Sequence, residues 1–599
     1  MSTSFYKFSL FFILLTLGKV LSQEELPDIS SGYEYPKKDD TDFYWVPIFG
    51  TNDIHGKIFP AQYPHPDKVN TYKSGGVEYI YAYKKIIEQE WKEEGQEKSR
   101  MLWLDGGDQF QGGLEFQLSN GTIMNDFYNL AGLDAMTIGN HEFDFGLSEL
   151  QKAMKGSHFP YLVANVKDIN ENKYIYDLWE NTKPYKLFTV GKVKIGVIGL
   201  ATMQTPTTTG CNPTNLIFEP YHDIVVKYAK ELREQGANAV ILLPHFGPSC
   251  PDPENKKLDI DLRDKNTQQC SCEQGQEYNE LLATLEENVI DAAVAAHVHD
   301  VTHHWISNVP VIETNGPFFS HVLYLPFKEV EGKYVLQRDK IKIEGPLPAC
   351  EKIFSNTKRC DYVPLGETSQ GELTNYKFHG QEILIDKKME ETLSKWKEQI
   401  EAKLKHIIVD NEEKMFIDSF HETALSNLVT DVGRKITGAD IALFNLGGFR
   451  AQWYPGKLNE VDLFNMFPFD NKYIRMEMTG REVVRMVKQI QSGYSVVPSS
   501  GLIQLFKKSG ERIKILDAKL FDGYLEKSIQ LDKSYTICVN DFLASGGGFF
   551  GKVLKWYKKR NEQDFGIIRT HMTNYLLALK KIAKGDLIDP NHPRVRYIN

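Results

Sequence analysis

The sequence predicts an α/β fold in at least two domains, on three observations. The chain has 599 residues, too many for one hydrophobic core and enough for two or three domains. Short apolar runs bounded by glycine and proline read as buried strands. They alternate with helical patterns over 77–94 and 223–235, which argues α/β packing. Five of those runs are followed closely by a side chain that can bind a metal ion.

In chain order, residues 1–22 read as a secretory signal. Lys7 marks a weakly basic start, 8–17 form the apolar segment, and Val20-Leu21-Ser22 offers a cleavage site before Gln23. The apolar stretch is too short for a membrane anchor. An acidic, tyrosine-bearing leader extends to about Asp42. Val46-Pro47-Ile48-Phe49 then leads to Asp53, Met101-Leu102-Trp103-Leu104 to Asp105, and Ala135-Met136-Thr137-Ile138 to Asn140. Val240-Ile241-Leu242-Leu243 leads to His245, and the alanine-rich run over 292–296 to His297. Ligand sites in α/β sheets collect at the carboxyl ends of strands. These segments define a first domain over 43–343. Residues 344–375 carry Pro, Cys and Ser without helical or strand period and read as loop. Residues 387–406 read as a charged amphipathic helix, with Met389, Leu393, Trp396 and Ile400 at i, i+4, i+7 and i+11. The linker is thus 344–406, and a second domain covers 407–577.

The residue types at the strand ends specify the chemistry. Imidazole, carboxylate and amide donors without thiolate suit Zn, Mn or Fe better than Ca or a structural zinc. Two such ions, about 3.5–4 Å apart, polarise phosphoryl oxygens and generate hydroxide near neutral pH. A lone histidine after a strand, or an Asp-Gly pair, is ordinary loop chemistry; the ordered set of five strand ends is what points to a two-metal site cleaving phosphate esters. Asp105 is the expected bridging carboxylate. His141 is the expected non-ligand partner of the leaving oxygen, with Asp144 orienting it.

Asn52-Asp53-Ile54-His55-Gly56, Asp105-Gly106-Gly107-Asp108, Gly139-Asn140-His141-Glu142-Phe143-Asp144, His245 and His297-Val298-His299 give the first domain the look of a calcineurin-like metallophosphoesterase. Asn445-Leu446-Gly447-Gly448-Phe449-Arg450, Phe467-Pro468-Phe469 and Asn540-Asp541-Phe542-Leu543-Ala544 extend the likeness. Over about 43–560 the chain resembles the 5'-nucleotidase/apyrase family, in its secreted invertebrate form. The resemblance implies a metallophosphoesterase α/β sandwich joined by a long helix to an α/β substrate-binding domain, with rotation of one domain against the other. It implies a first metal on Asp53, His55 and Asp105, and a second on Asp105, Asn140, His245 and His297, with His299 nearby. The metals would be zinc first, with Mn, Mg or Ca as alternatives. It further implies that Asn445 and Arg450 hold substrate and that Phe469 and Phe542 stack on either side of a base.

Two positions depart from the family. Gly548 stands where a ribose-binding Asp is usual, and Ser419 where an Arg often precedes the segment 422–428. Both fall on substrate grip, while the expected metal positions are intact. The implied activity is removal of terminal phosphate from ATP, ADP or AMP. Alternatives are a phosphoesterase or UDP-sugar hydrolase of loose base preference, or a secreted binding or anti-haemostatic protein that keeps the fold. By analogy, a secreted member suits an invertebrate's saliva, where ADP removal prevents platelet aggregation.

A net charge of −10 argues against nucleic acid as the main partner, though not against an anionic substrate drawn by bound cations. After residue 22 no run is long enough to span a membrane, and the polar C-terminus offers no hydrophobic tail for lipid exchange. Of seven cysteines, Cys350 and Cys360 form the expected surface-loop bridge. Cys211, Cys250, Cys270 and Cys272 also suit disulfides, and Cys538 reads as a buried thiol. Asn120-Gly121-Thr122 is a glycosylation sequon. The run 546–552 imitates a phosphate-binding loop, but Val553 stands where Ser or Thr is required. His303-His304 reads as a solvated pair.

Overall fold

The computed structural model describes residues 26–37, 40–67, 70–93, 100–119, 121–209, 213–249, 276–360, 369–490, 496–509, 512–521, 525–547, 554 and 560–598. The expected signal segment, Asn120, Cys211, Cys250, Cys270, Cys272 and Gly548 lie outside them.

The first domain is a two-sheet sandwich. Its strands are β1 (Tyr44–Thr51), β2 (Leu102–Asp105), β3 (Ala135–Thr137), β4 (Tyr161–Leu162), β5 (Thr182–Lys183), β6 (Tyr185–Val190), β7 (Val193–Leu200), β8 (Ala239–Pro244), β9 (Ala292–Val294), β10 (Thr302–Ile306), β11 (Val309–Glu313), β12 (Phe319–Val330), β13 (Lys333–Leu336) and β14 (Lys342–Pro348). One sheet runs β13-β12-β1-β2-β3-β4-β5, with β14 also on β12; the other runs β6-β7-β8-β9-β11-β10. The five strands that lead to the expected ligands run parallel in their sheets. Thr51 stands beside Asp105, Asp105 beside Met136, and Ile241 beside Ala292.

Alternation sorts the side chains between layers. Val46, Ile48, Leu102 and Leu104 face Val197, Ile241, Leu243 and Val294 in the core between the sheets. Phe49 and Trp103 face outward, into a core shared with α1 (Val77–Glu93), α2 (Leu114–Ser119) and α3 (Thr122–Ala131). On the opposite flank α4 (His222–Glu234) buries Val225, Tyr228 and Leu232. Helices thus cover both outer faces, as buried parallel strands require.

The helical stripe of the linker is real. In α5 (Lys387–Leu404), Asp386 caps the N-terminus by accepting from the N–H groups of Lys388 and Met389. Met389 and Leu393 enter the first domain's core, and Trp396 packs on it. Ile400 joins a separate cluster with Leu114 of the first domain and Val461 and Phe464 of the second. One apolar face therefore holds both domains.

The second domain has a five-stranded sheet including Ile441–Leu443, Lys472–Thr479 and Ser534–Asn540. Ala424–Thr437 and Ile568–Leu579 cover one face, and Gly480–Ile490 the other. Its sheets take in later chain too. Lys581–Ile582 pairs with Ile407–Asn411, and Val595–Tyr597 with Leu502–Ser509.

Two expectations are corrected. The region from 344 does not begin as loop, because β14 runs through Pro348 against β12; Gly345, Pro346 and Pro348 hide its period. His303 and His304 are not solvated. Both are buried on β10, where the His303 ring lies 5.6 Å from that of His321. The Cys350–Cys360 bridge is present, and Cys538 is a buried free thiol.

A buried ion cluster ties 377–382 to the first domain. His379 bonds Glu90 of α1 through Nδ1 at 2.7 Å and Glu344 of β14 through Nε2 at 2.8 Å. Burial alone would lower its pKa, but the bonds to Glu344 and Glu90 outweigh it and raise the value to about 10. A pKa raised above the unfolded value of about 6.5 gives stability that is complete below about pH 6.5 and lost as pH climbs through about 10. The unfolding free energy of the native protein minus that of His379→Gln should therefore be constant below about pH 6 and shrink between about pH 7 and 10. A gap independent of pH would mean that the ring is neutral in the folded state.

Candidate metal centre

Three of the ligand-bearing turns force their residues into the left-handed backbone region. Asp53 has φ 53°, His55 52°, Asp108 57°, His297 81° and His299 64°. Non-glycine residues rarely adopt this conformation, and it costs on the order of 1–3 kcal/mol each. The strain turns successive side chains inward at the strand ends instead of alternating them.

Two donor groups result. Asp53, His55, Asp108 and His299 form one, and Asp108, His245 and His297 the other; within each, one ligand atom per residue lies within 4.8 Å of the rest. The imidazole protons are already committed. His55 Nδ1–H donates to the Gln111 carbonyl at 2.9 Å, and His245 Nδ1–H to the Gly106 carbonyl at 2.6 Å. Nε2 of each is thus the ring atom turned toward the carboxylates, and its lone pair is what a cation would take. His55 Nε2 faces His299 Nε2 at 3.3 Å. His245 Nε2 stands 3.1 Å from Asp108 Oδ2 and 3.1 Å from Asn140 Oδ1. Asp53 Oδ1 and Asp108 Oδ2 are buried without a hydrogen-bond partner among the described residues. Buried carboxylate oxygens without a hydrogen-bond partner are unfavourable unless a cation lies beside them. The donor set thus fits two divalent ions sharing Asp108. Burial and the neighbouring His245 hold His297 neutral, with its pKa lowered to about 3, which is the ligand form.

Asp53, His55, His245 and His297 fall in these groups, and Asn140 points its amide oxygen into the second. Asp105 does not belong. Its Oδ2 accepts from the hydroxyls of Thr51 (2.6 Å) and Tyr128 (2.7 Å), and its Oδ1 from Gly107 N–H (2.9 Å) and Gln109 Nε2 (2.6 Å). Every lone-pair direction is used, and the carboxylate serves as a buttress under the turn. Asp108, three residues on, holds the shared position expected of Asp105. Gly139 makes room for it, since a Cβ there would come within 2.1 Å of Asp108 Oδ1.

Sequence reasoning also missed Glu142. Its carboxylate accepts from the N–H groups of Asp108 (2.8 Å), Gln109 (2.6 Å), Phe110 (3.1 Å) and Gly139 (2.6 Å), clamping the Asp108 turn to the Asn140 turn. Its place within the motif over 139–146 was the available signal.

Beside the donors, His141 Nδ1 bonds Asp144 Oδ2 at 2.7 Å, and Asp144 Oδ1 accepts from Thr209 Oγ1 at 2.8 Å. Burial alone would lower the His141 pKa, but Asp144 and Asp108 raise it. The second domain reaches this point. The Phe469 ring lies 5.7 Å from that of His141, and the Arg450 guanidinium stands 5.8 Å over Phe469. Arg450 interacts electrostatically with Asp108, Asp53 and Asp144. Asn445 Oδ1 accepts from Asn540 Nδ2 at 2.8 Å, and Phe542 is partly buried on its short helix, Asp541–Ala544. Ser419 is exposed and brings no cation.

Comparison with known proteins gives two family models. Residues 46–301 match the calcineurin-like phosphoesterase model, and residues 406–555 the 5'-nucleotidase C-terminal domain. A 5'-nucleotidase of Vibrio parahaemolyticus is 26% identical over 532 residues, covering 85% of each chain. The trifunctional nucleotide phosphoesterase YfkN of Bacillus subtilis is 24% identical over 75% of this chain, which spans 30% of that longer protein. The crystal structure of a 5'-nucleotidase precursor from Thermus thermophilus superposes with a TM-score of 0.70 at 21% identity, over 93% of this chain and all of that one. This last likeness speaks to the fold alone.

The geometry separates the two aspartates experimentally. Asp108→Asn should cost the protein both ions. Asp105→Asn should keep both and lose roughly 1–3 kcal/mol of folding stability, the usual cost of disturbing buried hydrogen bonds. Metal analysis after dialysis, with thermal unfolding alongside, checks this; the reverse pattern would return Asp105 to the ligand set.

Proposed function

The chain belongs to the 5'-nucleotidase family, with a calcineurin-like phosphoesterase domain followed by a 5'-nucleotidase C-terminal domain, and on that premise we propose that it removes the terminal phosphate of AMP, ADP or ATP outside the cell. That it is a phosphohydrolase using divalent metal follows from the family; the adenine nucleotides, zinc and the residue roles below are our reading. One observation carries it. The second domain's Arg450, within electrostatic reach of Asp53 and Asp108, and Phe469, whose ring lies 5.7 Å from that of His141, join a charged donor and an aromatic plate to a cation site.

Asp53, His55, Asp108 and His299 would hold one ion, and Asp108, Asn140, His245 and His297 the other. Bound there, two divalent ions supply Lewis acidity, lowering the pKa of a water and withdrawing charge from the phosphoryl group. The chain's own groups do the rest. His141, held by Asp144, keeps a proton for the leaving ester oxygen. Arg450 gives charged hydrogen bonds to phosphate oxygens. Phe469 and Phe542 grip the base, each stack contributing about 1–3 kcal/mol, and Asn445 orients the nucleoside.

An extracellular setting is supported by the Cys350–Cys360 disulfide and by the expected signal segment. No helix among the described residues is long and apolar enough to cross a membrane. Ser419, exposed where a cation would strengthen substrate grip, favours a second reading with looser base preference, including UDP-sugars.

Phosphate release from AMP, ADP, ATP and UDP-glucose, with and without chelator, decides between them. The leading reading expects chelator-sensitive turnover of at least one adenine nucleotide well above UDP-glucose, and the second expects comparable rates. His141→Ala should lower kcat by roughly 10²–10⁴-fold, the scale of a lost general acid, with both ions retained. Loss of metal from that variant would make His141 a ligand instead.

A further inference from the structure

The turn that carries His297 and His299 is held by a side chain outside every motif described above. Glu313 is the last residue of β11, beside Thr302 of β10. Its side chain is fully buried. Oε1 accepts from the N–H groups of both Val298, at 2.9 Å, and His299, at 3.0 Å. Oε2 has no hydrogen-bond partner among the described residues and faces Gly247, where a Cβ would lie 1.8 Å away. Gly247, two residues past His245, therefore leaves the space that the carboxyl occupies.

The next residue extends the brace. Thr314 donates through its N–H and its hydroxyl to Asn52 Oδ1, at 2.8 and 2.9 Å. Asn52 Nδ2 donates in turn to Asp53 Oδ2 at 2.6 Å, and that same oxygen accepts His297 N–H at 2.9 Å. The end of β11 thus fixes the 297–299 turn on one side and Asp53 on the other.

The turn needs such a brace. His297 and His299 both have positive φ, 81° and 64°, a conformation that persists only where surroundings over-determine it. The two imidazoles serve different donor groups, His297 with Asp108 and His245, His299 with Asp53, His55 and Asp108. Glu313 is in neither group.

We propose that Glu313 is the positioning residue that holds His297 and His299 in their strained backbone conformation, so that one buried carboxyl presets ligands for both metal ions. This rests on the two-metal reading of the site. A ligand left free to relax its backbone must be ordered again on binding, so the brace acts on metal affinity and not on the reacting atoms. Groups supporting metal ligands from behind change affinity by about 10–100-fold.

The test is a Mn²⁺ titration of the metal-free full-length protein by calorimetry, with hydrogen exchange of the Val298 and His299 amides. Glu313→Gln keeps an oxygen acceptor of the same reach and should bind two ions within about threefold of native affinity. Glu313→Leu should bind both ions about 10–100-fold more weakly and show faster exchange at both amides. Its kcat should recover at saturating Mn²⁺, which a disrupted active site would not allow. Should Glu313→Leu fail to fold, Glu313→Asp, one methylene too short to reach both N–H groups, is expected to show the same weakening. Native affinity for both ions in the folded Leu or Asp variant would overturn the role of Glu313 while leaving the two-metal reading intact. A native protein that bound no ion pair would overturn the two-metal reading and this proposal with it.

Discussion

Two carboxylate oxygens, Asp53 Oδ1 and Asp108 Oδ2, are buried with no hydrogen-bond partner among the described residues, and much of the first domain is arranged around that fact. An isolated buried carboxylate is among the least favourable groups a fold can contain. Here two sit beside the Nε2 atoms of His55 and His245, on turns that are themselves strained. The rest of the local structure makes this tolerable. Parallel strands from two sheets deliver the turns side by side. Glu142 and Asp105 hold the Asp108 turn by its backbone N–H groups, and Glu313 does the same for the 297–299 turn. Cations between the donors complete the balance, so metal binding and the integrity of this end of the sandwich are one problem.

The second domain matters because it closes on that charge. Arg450 carries a guanidinium to the edge of the aspartates, and Phe469 lies against His141. The linker helix makes the approach possible by burying Met389 and Leu393 in the first domain and Ile400 at the junction. On the proposed reading, a phosphate oxygen would meet Arg450 while the nucleoside rested on the aromatic side. Neither domain offers both alone, which is why the phosphoesterase half by itself says little about which ester is cleaved.

Much of this was legible in the sequence, because apolar runs reveal strands and short turns carry the ligands immediately after them. The stripe of the linker helix was legible for the same reason. The choice of Asp105 over Asp108 failed on a point that periodicity cannot resolve. Asp105 ends the strand and its carboxylate turns to Thr51 and Tyr128, whereas Gly106 and Gly107 carry the chain on to Asp108, whose left-handed φ aims it inward. Glu142 carried only its place in the 139–146 motif and Glu313 no signal at all, because both act largely through backbone N–H groups of other segments, and such pairing leaves no local pattern. His303 and His304 looked solvated because adjacent polar residues usually are; both are buried, His303 with its ring against that of His321 in the other sheet. Strand β14 was hidden by its glycine and prolines.

On the two-metal reading, two divalent ions sit on either side of Asp108. The most direct measurement is an anomalous difference map from crystals grown with Mn²⁺. Two peaks about 3.5–4 Å apart are expected, both within coordination distance of Asp108, with His55 and His299 on one and His245 and His297 on the other. A single peak, or a pair bridged by Asp105, would contradict it.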